Sequence, residues 1–132
     1  MIGLDTNVLV RYIVQDDPRQ ADAAARLIEG RCTARSPGYV SVPVLVELVW
    51  VLAGAYRYER GVVAGVIRQL LRTIELLVED SDVAWSALRE FEAGAADFAD
   101  CLIAHRNRAR GCTQTFTFDR AAARGRHFAP VP

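Results

Sequence analysis

A chain of 132 residues, 52% hydrophobic and 24% charged, fits one soluble globular domain, and its sixteen basic residues balance sixteen acidic ones. At that length folding buries roughly 65–70% of the unfolded chain's surface, so a core forms without disulfides. Every basic residue is arginine; the absence of lysine excludes Walker A nucleotide binding, Schiff-base enzymes, protein kinases and receiver-type phosphoaspartyl domains.

The N-terminal MIGLD has the composition of a short strand, and TNVLVRYIVQ has helical spacing directly after it. Asp16-Asp17-Pro18 breaks that helix, and Pro18 opens a second, PRQADAAARLIEG, expected to end at Gly30. GYVSV is β-rich, and Pro43 fits the first turn of a third helix, PVLVELVWVLAGAY. A fourth helix, ERGVVAGVIRQLLRT, precedes IELLVE, which reads as a buried strand. SDVAWSALREFEAG is a helix with Ser81 as its cap. DFADCLIAHRNRARG is the next helix, ended by Gly111; TQTFTF is a strand, DRAAARG a short helix and FAPVP a last strand. Strands alternating with helices predict an α/β fold around a mostly parallel sheet.

The cysteines, Cys32, Cys101 and Cys112, are odd in number and lack CxxC spacing, as expected of reduced thiols in a cytoplasmic protein. Met1 runs straight into IGLDTNV with an acid at position 5, unlike a signal peptide. The apolar run VPVLVELVWVLAGAY is shorter than the ~18–20 residues of a membrane span and carries Glu47.

Five acids stand where the pattern asks for something else. Asp5 ends the first strand and Asp119 follows TFTF; a helix cap would explain either alone. Glu47 is the only charge in VPVLVELVWVL, where a well-covered helix would make an unpaired carboxylate costly. Asp97 suits a cap, and Asp100, at the third position of the same helix, suits the helix dipole. In a parallel sheet these places fall at the carboxyl edge, where open α/β sheets hold their sites. Carboxylates crowded there need a compensating cation, and the oxygen-only donor set favours Mg²⁺ or Mn²⁺. Such a site can drive phosphodiester hydrolysis without a Ser, Cys or His nucleophile. His105 and His127 are the only histidines, and no Cys/His spacing suits zinc. His105 is expected on a helix surface and Cys101 in the core. Six arginines crowd the end of the chain, Arg106, Arg108, Arg110, Arg120, Arg124 and Arg126. They suit phosphate contacts, or simply form a solvated face.

MIGLDTNVLVRY, the lone Glu47 in VSVPVLVELVWVL, the segment ADFADCLIA and the late TFD together resemble a PIN domain, and more narrowly the VapC-type toxins of type II toxin–antitoxin pairs. The resemblance covers the whole chain, in order. It implies a single PIN-like domain over residues 1–132, a three-layer α/β/α sandwich with a mostly parallel central sheet. It also implies a Mg²⁺- or Mn²⁺-dependent endoribonuclease. Matched by position, Asp5, Glu47, Asp100 and Asp119 would be the catalytic, metal-binding quartet. Asn7 and Thr117 would hydrogen-bond those carboxylates, and Asp97 would support them from behind. Arg106, Arg108, Arg110, Arg120 and Arg124 would touch RNA. The implied partners are an RNA substrate, a second copy in a homodimer, and a VapB-like antitoxin whose C-terminal segment blocks the site. Two other readings stand beside it: a catalytically silent PIN-fold interaction module, and a phosphatase using Asp5 as nucleophile. The phosphatase would favour a second Asp where Asn7 stands, and a lysine.

Overall fold

The computed structural model describes all residues from Met1 to Pro132, in two compact units, Met1–Ser81 and Asp82–Pro132.

In the N-terminal unit, β1 (Ile2–Gly3) leads to α1 (Thr6–Val14) and α2 (Pro18–Arg31), then β2 (Gly38–Val40). There follow α3 (Val42–Trp50), α4 (Arg60–Arg72) and β3 (Leu76–Val78). The strands order as β1-β2-β3, all parallel, with Ile2 opposite Gly38 and Tyr39 opposite Leu77. Local chemistry sets the boundaries. Asp17 accepts from Gln20 N at 3.0 Å and Pro18 takes the first helical position, which needs no N–H donor. Ser41 caps α3, with Pro43 in its first turn. A Cβ at Gly38 would lie 2.8 Å from Leu4 Cδ1 and 2.9 Å from Cys32 Sγ, so any larger residue would push those buried side chains aside.

Three expectations shift in this unit. α2 runs through Gly30 to Arg31, capped at Cys32, because Gly30 keeps helical geometry at little cost one residue from the end. The helical run of α3 loosens into a π-helical turn over Val51–Ala55. β3 is not a buried strand: Val78 is buried but Leu77 is exposed, as suits a strand at the edge of its sheet. The core here includes Leu9, Val40, Leu45, Leu48, Leu52 and Ile67, each fully buried. Tyr56, past the π turn, donates to Asp16 at 2.8 Å while Arg11 pairs with Asp16 at 2.9 Å, so the α1–α2 break is tied down. Those bonds, Tyr56 first, hold the Asp16 carboxyl below the ordinary range.

The C-terminal unit holds α5 (Ser81–Ala93) from its second residue on, α6 (Phe98–Ala109), β4 (Thr115–Thr117), α7 (Arg120–Ala123) and β5 (Phe128–Pro130). β4 and β5 pair in parallel, Thr115 opposite Phe128. Ser81 stands inside the first turn of α5 rather than before it as a cap. Gly111, at φ +96°, ends α6 as expected, in a backbone region open to glycine. Phe98 is fully buried and meets Phe91 edge to face at 5.7 Å; Leu88, Cys101 and Leu102 complete the apolar centre. Every strand pair is parallel, so the expected α/β class with a mostly parallel sheet holds, in two separately hydrogen-bonded pieces. The three cysteines are free thiols, Cys32 and Cys101 buried and Cys112 exposed. No helix is long and apolar enough to cross a membrane.

Candidate functional site

In the N-terminal unit, Leu4 N bonds Tyr39 O at 3.0 Å, which anchors the chain beside β2 just before Asp5. Asp5 has extended backbone and caps α1, its Oδ1 accepting from Thr6 N at 2.8 Å. Thr6 is buried, and its hydroxyl donates to Glu47 Oε1 at 3.3 Å. One threonine therefore touches both acids. The Glu47 side of α3 is exposed rather than covered, so the apolar run buries Leu45, Leu48 and Val49 and leaves Glu47 facing water. Asn7, expected to hydrogen-bond the carboxylates, is exposed in the first turn of α1. It lines a groove of about 480 Å³ with Val8, Arg11, Gln20 and Leu27, and its neighbour Thr6 makes the carboxylate contact. Glu79, not singled out from sequence, accepts from Val42 N at 2.8 Å and satisfies the start of α3.

The C-terminal unit gathers three aspartates at one cavity of about 620 Å³, Asp97, Asp100 and Asp119, with Glu90, Arg124 and Arg126 also on its wall. Asp97 caps α6 by accepting from Ala99 N at 3.2 Å. Asp119 caps α7, its Oδ1 accepting from Ala121 N at 2.8 Å and Ala122 N at 3.2 Å. Thr117 supports Asp119 through the backbone: its Oγ1 accepts from Asp119 N at 3.0 Å, where a bond to a carboxylate was expected. Asp100 sits at the third position of α6, half-buried. Burial, then the charges of Asp97 and Asp119, push its carboxyl above the ordinary aspartate range. Arg106 is half-buried; Arg108, Arg110, Arg120 and Arg124 are exposed.

The same unit holds a cluster that sequence spacing does not suggest. His105 is not a plain surface residue: its Nε2 lies 2.6 Å from Glu90 Oε2. His127 Nε2 lies 3.4 Å from the same oxygen. The two rings meet at 62° with centroids 4.9 Å apart. Burial, opposed by Glu90 and helped by His105, holds the His127 pKa below its ordinary value. Glu90, His105 and His127 are widely separated along the chain, and only packing of α5, α6 and the approach to β5 joins them.

The oxygen-only trio of Asp97, Asp100 and Asp119 is chemically suited to a hard divalent cation. No curated protein matches the chain. The family model described as "PIN domain" matches residues 2–127, running through both units and all the acids described above. The chain belongs to the PIN-domain family, whose members are generally nucleases that use divalent metals.

Proposed function

We propose that the protein is a Mg²⁺- or Mn²⁺-dependent endoribonuclease, a VapC-type toxin that a VapB-like antitoxin neutralises, working in the cytoplasm as a homodimer. The observation that carries this reading is the acidic cavity, where Asp100 is half-buried and its carboxyl is raised by that burial first and then by the charges of Asp97 and Asp119. Like charges so placed are relieved by a cation, and arginines on the same wall suit a phosphate backbone.

Asp5, Glu47, Asp100 and Asp119 are the proposed ligand set, acting within one domain over residues 1–132; the single family match through both units supports that unity. A divalent ion held by these carboxylates would supply Lewis-acid chemistry to the scissile phosphate and to a water molecule. The protein's share is orientation. Thr6 steadies Asp5 and Glu47 together, and Thr117 fixes the backbone from which Asp119 projects. Asp97 is exposed and caps α6, as Asp5 and Asp119 cap α1 and α7, whereas Asp100 is half-buried inside the first turn of α6. That burial supports Asp100 as the proposed third ligand, with Asp97 as its support. Arg106, Arg108, Arg110, Arg120 and Arg124 are the proposed RNA contacts, with Arg124 nearest the chemistry by its place on the cavity wall.

The test is cleavage of a mixed structured RNA pool by antitoxin-free protein, with Mg²⁺, Mn²⁺ or EDTA, beside Asp5→Asn, Asp97→Asn and Asp100→Asn variants. Metal-dependent cutting that vanishes in Asp5→Asn and Asp100→Asn but survives in Asp97→Asn is expected. The reverse pattern at positions 97 and 100 reassigns the third ligand. RNA left intact under every metal condition favours the silent interaction module.

A further inference from the structure

We propose that Glu90, His105 and His127 form a second metal site, separate from the acidic cavity's ligand set, that takes a borderline-soft divalent ion, Zn²⁺ foremost. Two imidazole nitrogens and one carboxylate oxygen form a donor set of the kind zinc takes, and a poor one for Mg²⁺. One ligand atom from each residue lies within 4.8 Å of the other two. Tetrahedral zinc with bonds near 2.0–2.1 Å needs ligand atoms about 3.3 Å apart. Glu90 Oε2 and His127 Nε2 already stand at 3.4 Å. Glu90 Oε2 and His105 Nε2, at 2.6 Å, need only open by less than about 1 Å to admit the ion.

The surroundings suit an ion with one open position. The three residues line a cavity of about 490 Å³ with Ser86, Arg89 and Arg126, leaving room for a water or an anionic oxygen as fourth ligand. Arg108 Nη1 approaches His127 Nδ1 at 3.4 Å. Without metal, Nδ1 accepts from Arg108 and the ring proton sits on Nε2, toward Glu90. With metal on Nε2 the proton moves to Nδ1, and the exposed Arg108 turns away. The ion would join α5, α6 and the segment leading into β5. Glu90 and His127 also wall the acidic cavity, so the zinc site would stiffen that wall without using its aspartates.

The test is Zn²⁺ binding to the full chain by calorimetry and equilibrium dialysis. The background is an Asp100→Asn/Asp119→Asn variant carrying Cys112→Ser, so that neither the acidic cavity nor the exposed thiol competes. One equivalent bound, with affinity falling at least tenfold in His105→Gln and again in His127→Gln, is expected. Nitrogen NMR of the two imidazoles in the unmutated chain gives a reading independent of variant folding: both Nε2 signals should move on adding one equivalent of Zn²⁺. Imidazole signals that stay put overturn the proposal, as does zinc binding that survives both histidine substitutions. Loss of the bound equivalent in the acid-to-amide background overturns it too, since the ion would then belong to the acidic cavity.

Discussion

The two units hold their acids in opposite ways. In the N-terminal unit, Asp5 and Glu47 are each satisfied by the same threonine, the first by its backbone N–H and the second by its hydroxyl. In the C-terminal unit, Asp97 and Asp119 are satisfied as helix caps while Asp100 is left half-buried between their charges. The first pair is satisfied by protein donors; at Asp100 burial, then the charges of Asp97 and Asp119, disfavours the ionised form.

The sharpest way to break that picture is to remove one acid from each unit. Glu47→Gln and Asp119→Asn should each lower RNA cleavage by at least about 100-fold, since even residues that only support metal ligands cost 10–100-fold. If both serve one centre, the double variant should fall little further than the worse single one. Losses that multiply would mean that the two units act separately.

Stability offers the next comparison. Phe98→Ala empties a fully buried site against Phe91 and should cost about 3–5 kcal/mol. The chain carries one tryptophan in each unit, Trp50 and Trp85. In Trp50→Phe and Trp85→Phe backgrounds, fluorescence melting should report the Phe98→Ala loss from either tryptophan if residues 1–132 fold as one domain. A transition that moves for Trp85 alone would make the units independent folding domains.

A smaller effect isolates the threonine. Thr6→Val keeps the shape and the backbone N–H bond to Asp5 but deletes the hydroxyl bond to Glu47. Activity should drop about tenfold, at the low end for a residue that orients a ligand. Stability should fall by about 1 kcal/mol or less. Unchanged cleavage would show that Glu47 needs no such support.

What could be read from the sequence was mostly what is decided locally. Asp17-Pro18, Pro43, Asp97 and Gly111 punctuate helices through local geometry spanning a few residues, so their signals survive in one dimension, whereas the Ser41 cap was hidden in the β-rich GYVSV. The π turn at Val51–Ala55 left no such mark, because VLAGA is as compatible with a plain helix end. Exposure of Glu47 and Leu77 depends on which face of α3 and β3 packing selects, and an almost wholly apolar run hides the choice. The acids at strand ends were visible as misplaced charges. Glu79's bond to Val42 and the Glu90–His105–His127 cluster were not, since each joins residues far apart in sequence with no spacing rule between them. Thr6's bond to Glu47 left no mark either, since family resemblance points at positions such as Asn7, while burial decides which hydroxyl reaches a carboxylate.

The finest test concerns Asp100 itself. Its folded-state pKa is raised, so the fold favours the neutral acid. The metal-free protein therefore binds more protons at Asp100 than the unfolded chain does between the ordinary aspartate value and the raised one. Its contribution to stability is full below that ordinary value and is lost as pH rises through the window, the reverse of the usual behaviour of a paired carboxylate. Carboxyl-carbon NMR titration of Asp100 should show the raised midpoint directly. Asp97→Asn should lower it while keeping the α6 cap, because asparagine caps as well as aspartate. Asp119→Asn should lower it as well. Neither should restore the ordinary value, since burial is the largest cause and both variants leave it in place. Saturating Mg²⁺ should depress it further than either substitution, because a cation favours the ionised form outright. If Asp97→Asn leaves the midpoint where it was, crowding is not what loads this end of the molecule, and the contrast between the two units loses its electrostatic basis.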